Sequence, residues 1–157
     1  MIRAAFPGSF DPPTFGHIDI IERSRSIFDE LVVVIAENKQ KQYLFSAKER
    51  LEMMSEMVKE WKNVSVTLCD TLIVELLKRQ GIKIMVRGVR NVTDFSYESE
   101  LSMMNKALSP GIETIFMTTR PEYLVLRSSS VRELAAFHGD LSALVPPLVA
   151  AALQAKF

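Results

Sequence analysis

The chain has 157 residues, 48% hydrophobic and 24% charged, the make-up of an ordinary globular domain; disordered, collagen-like and disulfide-stapled classes are excluded. Nineteen Lys and Arg balance nineteen Asp and Glu, so binding to nucleic acid or an anionic membrane through a strongly basic field loses its main support. A local cationic pocket remains compatible with zero net charge.

The chain opens with an apolar run, Ile2–Phe6, that reads as a buried strand. Pro7–His17 follows, and then a helical period with Ile20, Ile21, Ser24, Ile27 and Phe28 on one face. Leu31–Ala36 is a second strand. A second helix carries Ala47, Leu51, Met54, Val58 and Trp61 in steps of four and three, opened by the capping box Ser46-Ala47-Lys48-Glu49. Val64–Leu68 is a third strand, ending at the single cysteine, Cys69, which has no disulfide partner and reads as a buried, inert thiol. A helix over Leu72–Gln80 closes at Gly81 in the C′ position, and Ile82–Val86 is a fourth strand. Tyr97, Leu101, Met104 and Leu108 mark a further helix that stops before Pro110-Gly111. Glu113–Met117 is a fifth strand, and helices over Ser128–Phe137 and Pro147–Lys156 end the chain. Met53, Met54, Met57, Met103 and Met104 fall at helical spacing and read as core or subunit packing. His138 reads as a partner of a helix C-terminus.

Five strands alternating with helices predict an α/β fold: a single doubly wound, five-stranded parallel sheet in one domain over residues 1–157. No apolar leader with a cleavage site and no apolar run of 18 residues is present, so a cytoplasmic protein is expected. In such sheets the ligand lies beyond the carboxyl ends of the strands. The segments to read are therefore Pro7–His17, Glu37–Phe45, Cys69–Ile73, Arg87–Phe95 and Thr118–Ser130.

Gly8 directly after the first strand permits close backbone approach to a ligand, and Ser9 adds a hydroxyl. Thr14-Phe15-Gly16-His17 opens a helix, whose free N–H groups and dipole favour a phosphate, with His17 as a possible donor. The Gly, Asp and Pro residues here also suit a plain turn, and Asp11 is expected to fix it. Lys39 and Lys41 follow the second strand, where a solvated turn would look the same. Arg87 and Arg90 bracket Gly88-Val89 after the fourth strand, and each guanidinium offers a fork suited to phosphate oxygens. Ser128-Ser129-Ser130 should N-cap a helix and could make a second anion site there. No P-loop, no G-x-G-x-x-G and no zinc spacing occurs. Phosphoryl or nucleotidyl transfer, which needs positioning and charge stabilisation above all, fits best.

Gly8-Ser9-Phe10-Asp11-Pro12-Pro13-Thr14-Phe15-Gly16-His17 resembles the nucleotidyltransferase signature G-[TS]-F-D-P-x-[TH]-x-G-H. Taken with Lys41, Arg87-Gly88-Val89-Arg90 and Ser128-Ser129, the whole chain is similar to the bacterial phosphopantetheine adenylyltransferases. The resemblance implies a Rossmann-like nucleotidyltransferase fold and transfer of AMP from ATP to 4′-phosphopantetheine, giving dephospho-coenzyme A and pyrophosphate in coenzyme A biosynthesis. It implies His17 as the catalytic residue, stabilising the transition state at the α-phosphate. Ser9, Lys41, Ile73 and Arg87 would bind phosphopantetheine. Ser9, Phe10, His17, Gly88, Val89, Arg90, Glu98, Tyr123, Leu124, Val125, Leu126, Arg127, Ser128 and Ser129 would bind ATP. It also implies Mg²⁺ accompanying ATP, no protein side chain as metal ligand, feedback by coenzyme A and a homohexamer. Thr14 resembles the phosphopantetheine type, whereas nicotinate mononucleotide adenylyltransferases and cytidylyltransferases carry His there. Two departures stand out: Ser9 replaces Thr, and Arg127 replaces the first Ser of the pattern I-S-S-S-x-V. Two other readings are the same fold with another acceptor, such as nicotinate mononucleotide or glycerol phosphate, and a non-catalytic adenine-nucleotide sensor.

Overall fold

The computed structural model describes residues 1–157. The elements in order are β1 (Arg3–Gly8), α1 (Phe15–Arg25), β2 (Glu30–Ala36), α2 (Ala47–Val58), β3 (Val64–Cys69), α3 (Ile73–Arg79), β4 (Ile84–Val89), α4 (Val92–Leu108), β5 (Glu113–Thr118), a 3-10 turn over Pro121–Tyr123, α5 (Ser128–Ala136) and α6 (Pro147–Gln154). The strands form one sheet in the order β3-β2-β1-β4-β5, parallel throughout, as the alternation predicts. After β1 the chain builds outward to β3, then returns to place β4 on the other side of β1. That reversal opens a crevice at the carboxyl ends of β1 and β4.

Central strands bury both faces. In β1 and β2, Ala4, Phe6, Leu31, Val33 and Ile35 pack with Ile20 and Ile21 of α1 and Met54 of α2. Their alternates Ala5, Val32 and Val34 pack on the opposite face with Val74 and Leu77 of α3. A third cluster joins Phe45 and Met53 to Val131, Ala135, Val149 and Leu153, so α5 and α6 rest on α2. The capping box at Ser46 and Glu49 is present, and Gly81 takes a φ of +67° after α3. Cys69 is buried, its Sγ 3.3 Å from the Thr71 carbonyl.

In the sheet, β1 shifts to Arg3–Gly8, taking in Pro7 and Gly8, and two further expectations change. β4 is Ile84–Val89 rather than Ile82–Val86, because pairing with β5 continues to Val89 opposite Thr118; Ile82 is buried from the preceding turn. Arg87, Gly88 and Val89 thus belong to the strand's last residues rather than to a loop. Second, β3 and β5 are edge strands and are not fully buried: Leu68 and Ile115 are 41% and 40% exposed. The methionines divide between the two readings open to them, with Met53 and Met54 in the core and Met103 and Met104 exposed on α4, which has no buried residue.

Candidate active site

At the end of β1 the chain doubles back tightly. A Cβ on Gly8 would lie 2.8 Å from the Phe10 ring, and Phe10 itself sits at a φ of +49°. Its buried ring lies edge-on to His17, with centroids 4.9 Å apart. Asp11, also buried, does more than shape a turn. Its two carboxylate oxygens accept the Leu44 and Phe45 N–H groups, each at 2.9 Å, and Arg132 donates to both its carbonyl and its carboxylate. The loop after β1, the entrance to α2 and helix α5 are thereby joined through one carboxylate.

Thr14 is the N-cap of α1 and His17 its third residue, and together they form a capping box in which a histidine replaces the usual Glu. The Thr14 N–H donates to His17 Nδ1 at 3.0 Å. An Nδ1 that accepts a hydrogen bond leaves the ring proton on Nε2. Burial against the crevice wall, reinforced by Arg90 and Arg87, lowers the His17 pKa to about 4. The imidazole is therefore neutral near pH 7 and presents a donor without adding charge.

Cations line the crevice. Arg87 makes a two-pronged pair with Glu98 of α4, both contacts 2.7 Å, and also donates to the Pro7 carbonyl. Arg90 pairs with Asp94 at 2.7 Å and donates to the Leu126 carbonyl at 3.1 Å. Arg127, the N-cap residue of α5, is exposed, and Lys41 is exposed on the loop after β2.

Two cavities open side by side, of about 580 and 800 Å³. They share Pro7, Gly8, Ser9, Lys41, Tyr43 and Arg87. The first is lined further by Phe10, His17, Gly88, Arg90, Tyr123, Leu126, Arg127, Ser128 and Ser129. The second runs past Asp70–Val74, including Ile73 at the start of α3, and along Tyr97, Leu101 and Asn105 of α4.

Four residues expected to bind ATP do not line the first cavity. Leu124 and Val125 are exposed outside either cavity, and Val89 is buried, its carbonyl accepting the Thr119 N–H at 3.0 Å. Glu98 lines the second cavity rather than the first, drawn there by its pair with Arg87. The serines also differ from expectation. The N-cap position falls on Arg127, whose side chain makes no capping bond, and Ser128 is the first helical residue, its Oγ donating to the Pro12 carbonyl at 2.8 Å; the helix therefore keeps free N–H groups at the crevice. The residue readings passed over Arg132, Tyr43 and Arg50. Arg132 was legible, four residues after Ser128 and so on the same helix face; the other two carry no local signal.

A parallel sheet whose switch-point crevice gathers free helix N–H groups, arginines and a neutral histidine defines a nucleotide-handling transferase. Residues 5–134 match the model of the Cytidylyltransferase-like family. The chain is 47% identical over 156 residues to the phosphopantetheine adenylyltransferase of Treponema pallidum (strain Nichols), covering 99% of this chain and 98% of that one. It is 48% identical over 157 residues to the same-named protein of Symbiobacterium thermophilum, covering 100% and 97%. A solved structure from Vibrio parahaemolyticus, assigned as a nicotinate-nucleotide adenylyltransferase, shares the fold at a TM-score of 0.71 and 19% identity, over 98% of this chain and 91% of that one. The chain belongs to the phosphopantetheine adenylyltransferases within the Cytidylyltransferase-like nucleotidyltransferases.

Proposed function

We propose that this chain transfers the adenylyl group of ATP to 4′-phosphopantetheine, releasing pyrophosphate and forming dephospho-coenzyme A. The observation that carries the residue assignment is the pair of cavities meeting at Ser9, Lys41 and Arg87, with neutral His17 in the first. ATP would occupy the first cavity, its phosphates against Arg90 and the free N–H groups of α5. Phosphopantetheine would lie along the second, its phosphate at the shared junction.

The acceptor phosphate is already anionic and attacks the α-phosphorus without a general base. A bond forms from its oxygen to that phosphorus, and the bond to the bridging oxygen breaks as pyrophosphate departs. Two polyanions repel, and Lys41, Arg87 and Arg90 offset that repulsion. Orientation of two bound reactants supplies roughly 7–11 kcal/mol in favourable cases. The His17 Nε2–H stabilises charge developing at the α-phosphate, and Ser9 orients both substrates through its hydroxyl.

Magnesium enters as the MgATP substrate. Nowhere are three His, Cys, Asp or Glu gathered into a metal site, and Asp11 in the first cavity is engaged by the Leu44 and Phe45 N–H groups and by Arg132. Triphosphate oxygens and water suit this ion, which keeps several waters when bound. The exposed apolar residues of α4, Tyr97, Met103, Met104 and Leu108, support assembly of identical subunits, for which we propose a hexamer. Coenzyme A, a larger relative of the product, would compete at the same cavities. No helix is long and apolar enough to cross a membrane, and we place the enzyme in the cytoplasm.

The deciding assay is pyrophosphate release from MgATP with and without phosphopantetheine. Release that depends on phosphopantetheine supports the reaction. Equal release with nicotinate mononucleotide would assign a different acceptor, and ATP binding without release would favour a sensor.

A further inference from the structure

Arg50 is the most deeply buried charged residue in the molecule, at 0% exposure. It stands on the first turns of α2, where the helix dipole disfavours a cation, so its charge is not placed there to stabilise the helix. Its hydrogen-bond acceptors are all carbonyls, with no carboxylate among them. Nε donates to Phe45 O at 3.2 Å, and Nη1 to Ser9 O at 2.7 Å and Ala36 O at 3.2 Å. Nη2 is buried without a partner. The guanidinium lies 4.0 Å from the Tyr43 ring centroid.

These contacts share a pattern. Ala36 ends β2 and Phe45 immediately precedes the α2 cap, so they bracket the loop that carries Lys41. Tyr43 lies within that loop, and its hydroxyl accepts the Asn38 N–H at 2.8 Å, closing the loop on itself. One planar fork therefore holds both ends and the middle of the Lys41 loop against the carbonyl of Ser9. A lysine has no such fork and could not span the three carbonyls together. Burying a cation with no carboxylate is costly, and loops can be fastened by neutral donors at lower cost.

We propose that Arg50 is a positioning residue for the acceptor side of the reaction. It sets Lys41 and Ser9 opposite Arg87 at the junction of the two cavities, and its unneutralised charge lies behind that junction, favouring the incoming phosphate. The proposal rests on the assignment of that junction to the phosphopantetheine phosphate.

The test compares wild type with Arg50→Lys and Arg50→Gln. Steady-state kinetics are measured in both substrates, together with calorimetric binding of phosphopantetheine without ATP. The expected result is a rise in phosphopantetheine KM and Kd of about 10–100-fold, the scale of hydrogen bonds to charged groups, with the KM for ATP within about threefold of wild type. Arg50→Lys should recover little, because the fork is lost. A fall in kcat with both KM values and the Kd unchanged would mean a structural role only and overturn the proposal. If the Arg50 variants do not fold, Tyr43→Leu, which removes both the ring stacked on Arg50 and the hydroxyl that closes the Lys41 loop, carries the same comparison. An unchanged phosphopantetheine Kd there would equally overturn it. A wild type that binds phosphopantetheine without turnover refutes the reaction but leaves the binding comparison decisive for Arg50. A wild type that does not bind phosphopantetheine refutes both.

Discussion

Thr14 and His17 complete each other's backbone bonding at the start of α1. The Thr14 N–H donates to the His17 ring at 3.0 Å, and the His17 N–H donates to Thr14 Oγ1 at 3.4 Å. The contact that secures the helix end also selects the imidazole tautomer with its proton on Nε2. Position 17 thus joins a local structural role to a chemical one.

Replacing His17 with Ala should lower kcat by about 10²–10³, the effect of removing one preorganised transition-state donor. ATP affinity should change little. A variant with near-normal kcat, measured by pyrophosphate release, would remove His17 from the chemistry.

The depressed pKa of His17, about 4 folded against 6.5 ordinarily, also has a stability consequence. Between these values the unfolded chain binds the proton that the folded chain refuses, so stability rises with pH through that window and is level above it. As pH falls from 6.5 to 4, wild type should lose up to about 2–3 kcal/mol from this group, at 1.36 kcal/mol per pKa unit and with some relief from solvent at the cavity mouth. His17→Gln should flatten that part of the curve. Urea midpoints measured from pH 4 to 7.5 check this, and parallel curves for the two proteins would contradict it.

Arg87→Ala should reduce kcat/KM for phosphopantetheine about 10–100-fold through lost charged hydrogen bonds. The same change strands Glu98, whose side chain is only 13% exposed. Adding Glu98→Gln should therefore restore stability without restoring activity. Thermal melts beside kinetics separate the two effects, and full recovery of activity in the double variant would argue against phosphate binding by Arg87.

Asp11→Asn removes one acceptor oxygen and leaves either the Leu44 or the Phe45 N–H unpaired. The cost should be about 1–3 kcal/mol for each unsatisfied buried group, with Arg132 loosened as well. A change in urea unfolding free energy below about 0.5 kcal/mol would contradict the role of Asp11 in joining the β1 loop, α2 and α5.

Gly8→Ala should destabilise more than Gly88→Ala. The added methyl at position 8 meets a buried aromatic ring at 2.8 Å, whereas at position 88 it reaches Ile20 at 3.4 Å. Overpacking of the first kind typically costs about 1–3 kcal/mol. Melting temperatures of the two variants give the comparison, and equal values would mean that Phe10 is free to move.

Local chemistry explains why much of this was readable in one dimension. Apolar runs broken by helical periods announced the parallel α/β sheet, because side-chain period follows directly from backbone geometry. Ser46 and Glu49, and Gly81, act within a few residues of themselves, so they too were visible; the start of α1 at Thr14 was also readable, but not the reciprocal bonding of Thr14 with His17. The end of β4 was misplaced because pairing with β5 extends it, and no local pattern reports a neighbour's length.

What tertiary structure alone decided is who meets whom. Ser9, Lys41 and Arg87 come together only because the sheet order sets β4 beside β1 and β2 on the other side. Nothing local in the sequence marks Arg50, and packing makes it a buried clamp on three carbonyls. Glu98 lines the second cavity through its pair with Arg87, and Ser128 Oγ bonds the Pro12 carbonyl, 116 residues away in the chain. The sequence by itself determined the periodic elements, the capping box of α2 and the residue types able to hold phosphate, because these depend on near neighbours. Which donors stay free for a ligand was settled by the three-dimensional competition among all the charges and carbonyls that folding brings within reach.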